Sequence, residues 1–211
     1  MTAPSRGVYA IYDRTTLDDD ALDRVDAVLA AGVRWFQYRD KRNSRPDTAL
    51  ARQLQARCQA VQAEFIINDD WRLAAELGCG VHMGAADGNL ATARAALGPH
   101  ARIGATCGSD IGRAERALAA GADHVSFGRF FASATKPEAP PADPVVLGQA
   151  QALGVPVVAI GGIERHNAGQ LLTAGADLIA ISGALFRAAD STRAAAELVA
   201  LCAAYSAPEH A

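Results

Sequence analysis

Several things this sequence does not have narrow its class. Its four cysteines, Cys58, Cys79, Cys107 and Cys202, form no CxxC pair, which argues against a disulfide frame or a zinc site and suits reduced thiols in a cytoplasmic protein. The five histidines, at 82, 100, 124, 166 and 210, also lack metal-type spacing. No stretch approaches the ~18 uninterrupted apolar residues of a membrane span, and the opening MTAPSRGVYAIYDRTTLDDD has no long apolar signal segment, so neither a span nor export is expected. A net charge of −3 with 20% charged residues leaves no electrostatic bias towards nucleic acid or anionic membrane. The Gly-x-x-x-x-Gly-Lys frame of a P-loop is missing, as is any obvious general-base constellation.

What is present centres on VVAIGGI at 157–163, a β-type run ending on adjacent glycines. Val157, Val158 and Ile160 suit a strand buried on both faces, where the apolar pattern is continuous. Gly161 and Gly162 then carry no Cβ where the strand stops, so a ligand could approach their backbone N–H groups. Alternatively they only make a tight turn. A second run, 178–181, leads into Ser182-Gly183 and a helix-compatible stretch over 184–189. Two successive Gly-rich strand exits followed by a short extra helix match the phosphate site after strands seven and eight of a (β/α)₈ barrel.

The rest of the chain repeats one rhythm: an Ala/Leu-rich helix, a Gly, then a short apolar run. It occurs at 31–36, 77–82, 120–125 and 174–179, and the Gly can cap the helix and turn the chain back into the sheet. Eight β-type runs are expected, at 8–12, 33–39, 65–69, 80–84, 102–106, 124–129, 156–161 and 178–182. Helical stretches fall near 18–31, 46–62, 70–77, 89–97, 112–120, 143–153, 164–174 and 190–203. Eightfold strand–helix alternation predicts a parallel sheet, and this number of units fits a single-domain α/β (β/α)₈ TIM barrel over 1–211 better than an open sheet. The Pro-rich stretch 136–144 is an interior loop and a candidate lid.

In such a barrel the chemistry lies at the C-terminal strand ends. Strand two ends in Gln37-Tyr38-Arg39-Asp40-Lys41, where Gln37, Arg39 and Lys41 share one face of an extended chain. Two cations and an amide suit a phosphate or diphosphate; a solvated basic loop is the plain alternative. Strand three ends in Asn68-Asp69-Asp70, with Asp70 the natural cap of the next helix. Strand four is followed by Asp87. Asp69 and Asp87, on adjacent exits, suit one Mg²⁺, which takes few carboxylates and otherwise substrate oxygens and water. His82 has no second ligand in sequence and fits packing or orienting a neighbour. Strand five ends with Thr106, and strand six runs into a loop carrying Ser133, Ala134, Thr135 and Lys136.

Taken in order, YAIYD (9–13), QYRDK, INDD, HMGAAD, SATK, VAIGGI and ISGAL (181–185) resemble the thiamine-phosphate synthase family over essentially the whole chain. The resemblance implies a (β/α)₈ transferase of thiamine biosynthesis with Mg²⁺. It joins 4-amino-2-methyl-5-hydroxymethylpyrimidine diphosphate to a thiazole phosphate, releasing diphosphate and thiamine monophosphate. Gln37, Arg39 and Lys41 would bind the pyrimidine diphosphate, together with the flanking Tyr38 and Asp40 as substrate-binding residues, and Asn68 would lie near the pyrimidine. Asp69 and Asp87 would hold the Mg²⁺. Lys136 would neutralise the leaving diphosphate, and Thr106 stands where the family usually has Ser. Ser133, Ala134 and Thr135, with Gly161, Gly162, Ile181 and Ser182, would line the thiazole phosphate site. Departures are mild: Tyr38 for an aliphatic, Ala85-Ala86 for Gln-Glu, and Ser133 for Thr.

Two alternatives differ in chemistry. A thiazole tautomerase-like isomerase uses the same barrel but needs no carboxylate pair and places a histidine after strand six, where Arg129 follows Gly128 here. A non-catalytic phosphate-binding barrel would not need the full set of cations and carboxylates. Expected partners are small molecules, without nucleic acid or membrane; assembly into a homo-oligomer is left open.

Overall fold

The computed structural model describes residues 6–17, 22–42, 45–132 and 141–206. Eight parallel strands close a barrel in sequence order: β1 (Gly7–Asp13), β2 (Trp35–Arg39), β3 (Glu64–Asn68), β4 (Gly80–Met83), β5 (Ile103–Gly108), β6 (His124–Gly128), β7 (Val157–Ile160) and β8 (Leu178–Ile181). β1 pairs with β8 from Gly7↔Leu178 to Ala10↔Ile181, which shuts the ring. The helices are α1 (Leu22–Ala30), α2 (Thr48–Ala60), α3 (Trp71–Leu77), α4 (Leu90–Leu97), α5 (Ile111–Ala119), α6 (Val145–Ala150), α7 (Arg165–Thr173), α8 (Gly183–Phe186) and α9 (Ser191–Ala204). Among the described residues, no helix is long and apolar enough to cross a membrane.

Alternation along each strand sorts the apolar residues into two cores. Tyr9, Ile11, Ile66, Val158, Leu178 and Ala180 fill the barrel interior, whereas Val8, Ala10, Tyr12, Phe36, Ile67 and Ile179 pack outward in the larger cluster with the helices. Both faces are buried, which explains the continuous apolar runs.

Boundaries differ from expectation where side chains take the backbone groups. β2 begins at Trp35, after Arg34 has turned its guanidinium onto the carbonyls of Leu29 (3.1 Å) and Val33 (2.9 Å) at the end of α1. α8 stops at Phe186 rather than reaching 189, because Asp190 turns out to cap α9, accepting from Arg193 N at 2.9 Å. Asp70 caps α3 as expected, its Oδ1 accepting from Leu73 N at 3.0 Å.

The Ala-Gly-Ala-Asp repeat does more than end a helix. After Gly121 and Gly175 turn with φ of +102° and +117°, the aspartate grips the start of the preceding strand at both backbone groups. Asp123 donates its N–H to Ile103 O (2.7 Å) and accepts from Ile103 N on Oδ2 (2.8 Å). Asp177 repeats this with Val157, at 2.9 Å for each bond. Arg94 completes the first clamp, pairing with Asp123 at 2.5 Å and donating to the carbonyls of Gly98, Ala101 and Gly121.

Candidate active site

The C-terminal ends of β2, β3 and β4 form one wall of the mouth. Residues at alternating positions of β2 part company there. Gln37 lies inside the barrel, donating to Tyr9 Oη at 3.0 Å. Arg39 pairs with buried Asp13 at 2.6 Å, and Lys41 reaches Asp69 Oδ2 at 2.8 Å. Tyr38 and Asp40 turn the other way. Tyr38 is completely buried in the outer core, and burial drives its hydroxyl pKa upward. Its hydroxyl donates to Asp40 Oδ2 at 3.0 Å, and Arg14 and the Arg42 N–H also bond the Asp40 carboxylate. Tyr38 and Asp40, expected as flanking substrate-binding residues, therefore have their polar groups occupied within the fold, Tyr38 in the outer core and Asp40 at the cavity edge.

Asp13 was not singled out from the sequence. It stands directly across from Arg39 in the β1–β2 register, and a carboxylate at a strand end opposite a cation is the signal that would have found it. Its charge-assisted bond fixes the guanidinium fork. Asp13→Asn should free Arg39 and lower kcat/KM about tenfold, as expected for loss of one such bond, with steady-state kinetics as the check.

Asn68 ends β3, and Asp69 follows in the left-handed region at φ +66°. Asp69 and Asp87 line the same cavity wall, close enough for Asp87 to disfavour the charged form of Asp69. Burial, followed by the neighbouring Asp87, raises the Asp69 pKa, and Lys41 opposes that rise. Asp87 is fixed by the Gly84 N–H, which donates to its Oδ2 at 2.7 Å. Both aspartates, with Lys41 and Asn68, line a cavity of about 920 Å³. Among the described residues no three His, Cys, Asp or Glu side chains gather into a complete metal cage. Two facing carboxylates beside an open cavity instead suit a hard cation that takes its remaining ligands from phosphate oxygens and water.

Below the mouth, the barrel interior holds a polar chain. His124 Nε2 lies 3.3 Å from His82 Nδ1, and His82 Nε2 lies 3.1 Å from Thr106 Oγ1 and 3.2 Å from Ser126 Oγ. The rings meet because Gly104 lies between them: a methyl group there would overlap both imidazoles. His82, expected to pack or to orient a neighbour, contacts His124, Thr106 and Ser126 with its two ring nitrogens. His124 is fully buried, with Trp35 and Tyr9 edge-on to its ring. Burial, then the charges of His82 and Arg102, hold its pKa well below the usual histidine value. An unfolded chain would protonate it near pH 6.5 while the folded one would not, so stability falls as pH drops below that value. Denaturant unfolding should lose up to about 1.4 kcal/mol per pH unit between pH 6.5 and 5.5, a slope that His124→Phe should flatten.

At the opposite wall, Gly161 and Gly162 have positive φ, but their Cβ-free faces are largely filled by the protein itself. The segment leaving β6 crosses them, with Phe130 N donating to Ile160 O (3.2 Å) and Phe131 N to Gly161 O (3.0 Å). A Cβ at Gly161 would overlap Arg129, and one at Gly162 would overlap the Ala132 carbonyl. The tight-turn reading therefore accounts for much of this glycine pair. Ile181 points into the outer core. The buried Ser182 Oγ has no hydrogen-bond partner among the described residues, an orphan hydroxyl at the expected phosphate wall. Ser133, Ala134, Thr135 and Lys136 lie outside the described residues, as does most of the candidate lid. The cysteines are unpaired; burial pushes Cys58, Cys79 and Cys202 up to about 12 and Cys107 to about 11, so none supplies a thiolate at neutral pH.

Known proteins resemble this chain along most of its length. A family model described as thiamine monophosphate synthase matches residues 8–185. The chain is 50% identical over 183 residues to a thiamine-phosphate synthase of Marinobacter nauticus, covering 85% of this chain and 82% of that one. It is 49% identical over 184 residues to a thiamine-phosphate synthase of Saccharophagus degradans, covering 85% of each. Among solved structures it resembles a thiamine phosphate pyrophosphorylase from Pyrococcus furiosus, with a TM-score of 0.83 and 26% identity over 96% of this chain and 98% of that one.

Proposed function

The chain belongs to the thiamine monophosphate synthase family, transferases of thiamine biosynthesis, and we propose that its barrel mouth carries out the transfer as follows. The observation that carries the assignment is the convergence of Lys41, Asp69 and Asp87 on one cavity wall. Arg39, on the same strand face and steadied by Asp13, joins Lys41 in binding diphosphate oxygens. Asn68, at the end of β3 and in the cavity lining, is assigned to the pyrimidine. Asp69 and Asp87 would hold Mg²⁺, which when bound offsets the charge that gathers on the departing diphosphate. Lys136 is assigned to that same charge. Ser182, the backbone at Gly161, Gly162 and Ile181, and Ser133, Ala134 and Thr135 are assigned to the thiazole phosphate.

The methylene C–O bond breaks with its electron pair leaving on diphosphate, and the aminopyrimidine ring stabilises the cation left behind. The thiazole nitrogen then donates its lone pair to form the C–N bond. No proton need be removed at this step, so the site needs no general base. Positioning and charge stabilisation carry the reaction. Action in the cytoplasm agrees with the four unbridged cysteines.

Diphosphate release by purified protein, given both phosphorylated substrates with and without Mg²⁺, tests this assignment. Release that needs both substrates and the metal, with thiamine monophosphate appearing, is the expected result. Isomerisation of a carboxythiazole phosphate without any diphosphate release would move the protein to the tautomerase and leave the carboxylate pair without a catalytic role.

A further inference from the structure

We propose that His124 and His82 form a one-way hydrogen-bond relay that fixes the Thr106 hydroxyl as a donor towards the pyrimidine diphosphate, which makes both histidines positioning residues. This rests on the synthase assignment of the mouth. The direction follows from His124. It is wholly buried and its Nδ1 has no partner among the described residues. A neutral imidazole carries one N–H. A proton on Nδ1 would leave a buried donor orphaned, which is rarer and more costly than an unfilled acceptor. The proton therefore sits on Nε2 and is donated to His82 Nδ1 across 3.3 Å.

His82, accepting on Nδ1, presents N–H at Nε2 to the Thr106 and Ser126 hydroxyls. Ser126 Oγ can pass its own hydrogen to Ala105 O at 3.5 Å. Thr106 Oγ1 accepts from His82, and because the residue is half-buried near the C-terminal end of β5, its hydrogen is available to a ligand at the mouth. Reversal of the chain would turn that hydrogen inward and present only lone pairs to a polyanionic substrate. Gly104 belongs to the device, since the two rings could not approach past a side chain.

Nitrogen-15 NMR of the histidine rings reads the relay without any turnover. The expected result is His124 protonated at Nε2 and His82 at Nε2; a protonated His124 Nδ1 overturns the proposal. Kinetics give a second reading. His124→Phe keeps the ring volume but removes the donor, and should lower kcat about tenfold, the worth of one hydrogen bond. His124→Gln, whose amide can still donate to His82, should restore most of that loss. In a Thr106→Val background, which has no hydroxyl to orient, His124→Phe should change kcat by no more than about twofold. Equal losses in both backgrounds would mean that His124 acts only through packing, and would overturn the proposal. Should His124→Phe fail to fold, the wild-type tautomers decide. If the wild-type protein released no diphosphate, the synthase assignment would fail while the tautomer result stood by itself.

Discussion

Asp69→Asn is expected to slow diphosphate release about a hundredfold or more, the effect of removing a carboxylate from a catalytic cation site, while leaving the fold as stable as before. The two consequences separate because the residue's place in the fold and its charge do different work. Asparagine tolerates the left-handed backbone that Asp69 adopts at φ +66°. It also removes a carboxylate whose charged form burial and the neighbouring Asp87 disfavour, a cost that a bound cation would otherwise offset. The Lys41 partner is lost as well, but that side chain is 49% exposed, where such pairs are worth about 0–1 kcal/mol. Initial rates across a Mg²⁺ titration, run beside a thermal melt, check both halves. Wild-type turnover at ordinary Mg²⁺ would show that the pair does not hold the metal.

Gly128→Ala should have the largest effect on the fold. Gly128 closes β6 with φ +142°, and a methyl group there would overlap the Ile160 carbonyl of β7. That carbonyl also accepts from Phe130 N at 3.2 Å, so relief by moving it would undo the bond that seats the segment leaving β6. Overpacking costs about 1–3 kcal/mol and the backbone strain about 1–2 kcal/mol more, giving roughly 3 kcal/mol together. A barrel of this size should then melt about 6–12 °C lower. A variant with the wild-type melting point would mean that β6 and β7 can separate freely at their upper ends.

Much of the architecture can be read from the chain because a parallel barrel buries both strand faces: all eight runs of β-type residues became strands. The alternation of Gln37, Arg39 and Lys41 against Tyr38 and Asp40 was also legible, since period two is a local property. What stayed hidden depends on partners distant in sequence. Asp13 matters because β1 sets it across from Arg39. Asp40 looked available until Arg14 and Tyr38 closed on it. His124 sits in an apolar run, and nothing near it in sequence shows that its ring meets His82 inside the barrel. Gly161 and Gly162 looked like open backbone because the segment that covers them comes from the end of another strand.

The aspartate clamps of the Ala-Gly-Ala-Asp repeat divide the second half of the ring into two units. Asp123 ties the root of β5 to that of β6, and Asp177 ties β7 to β8; each strand–helix–strand segment is thereby closed on itself at the floor, opposite the mouth. Such closed segments behave as units of local opening. Each should breathe as a block, so the amide hydrogens of Ile103 and Val157 would exchange with solvent only when a whole module lets go. Sequence changes at the rim then need not spread downward, because the floor is held by contacts that do not pass through it.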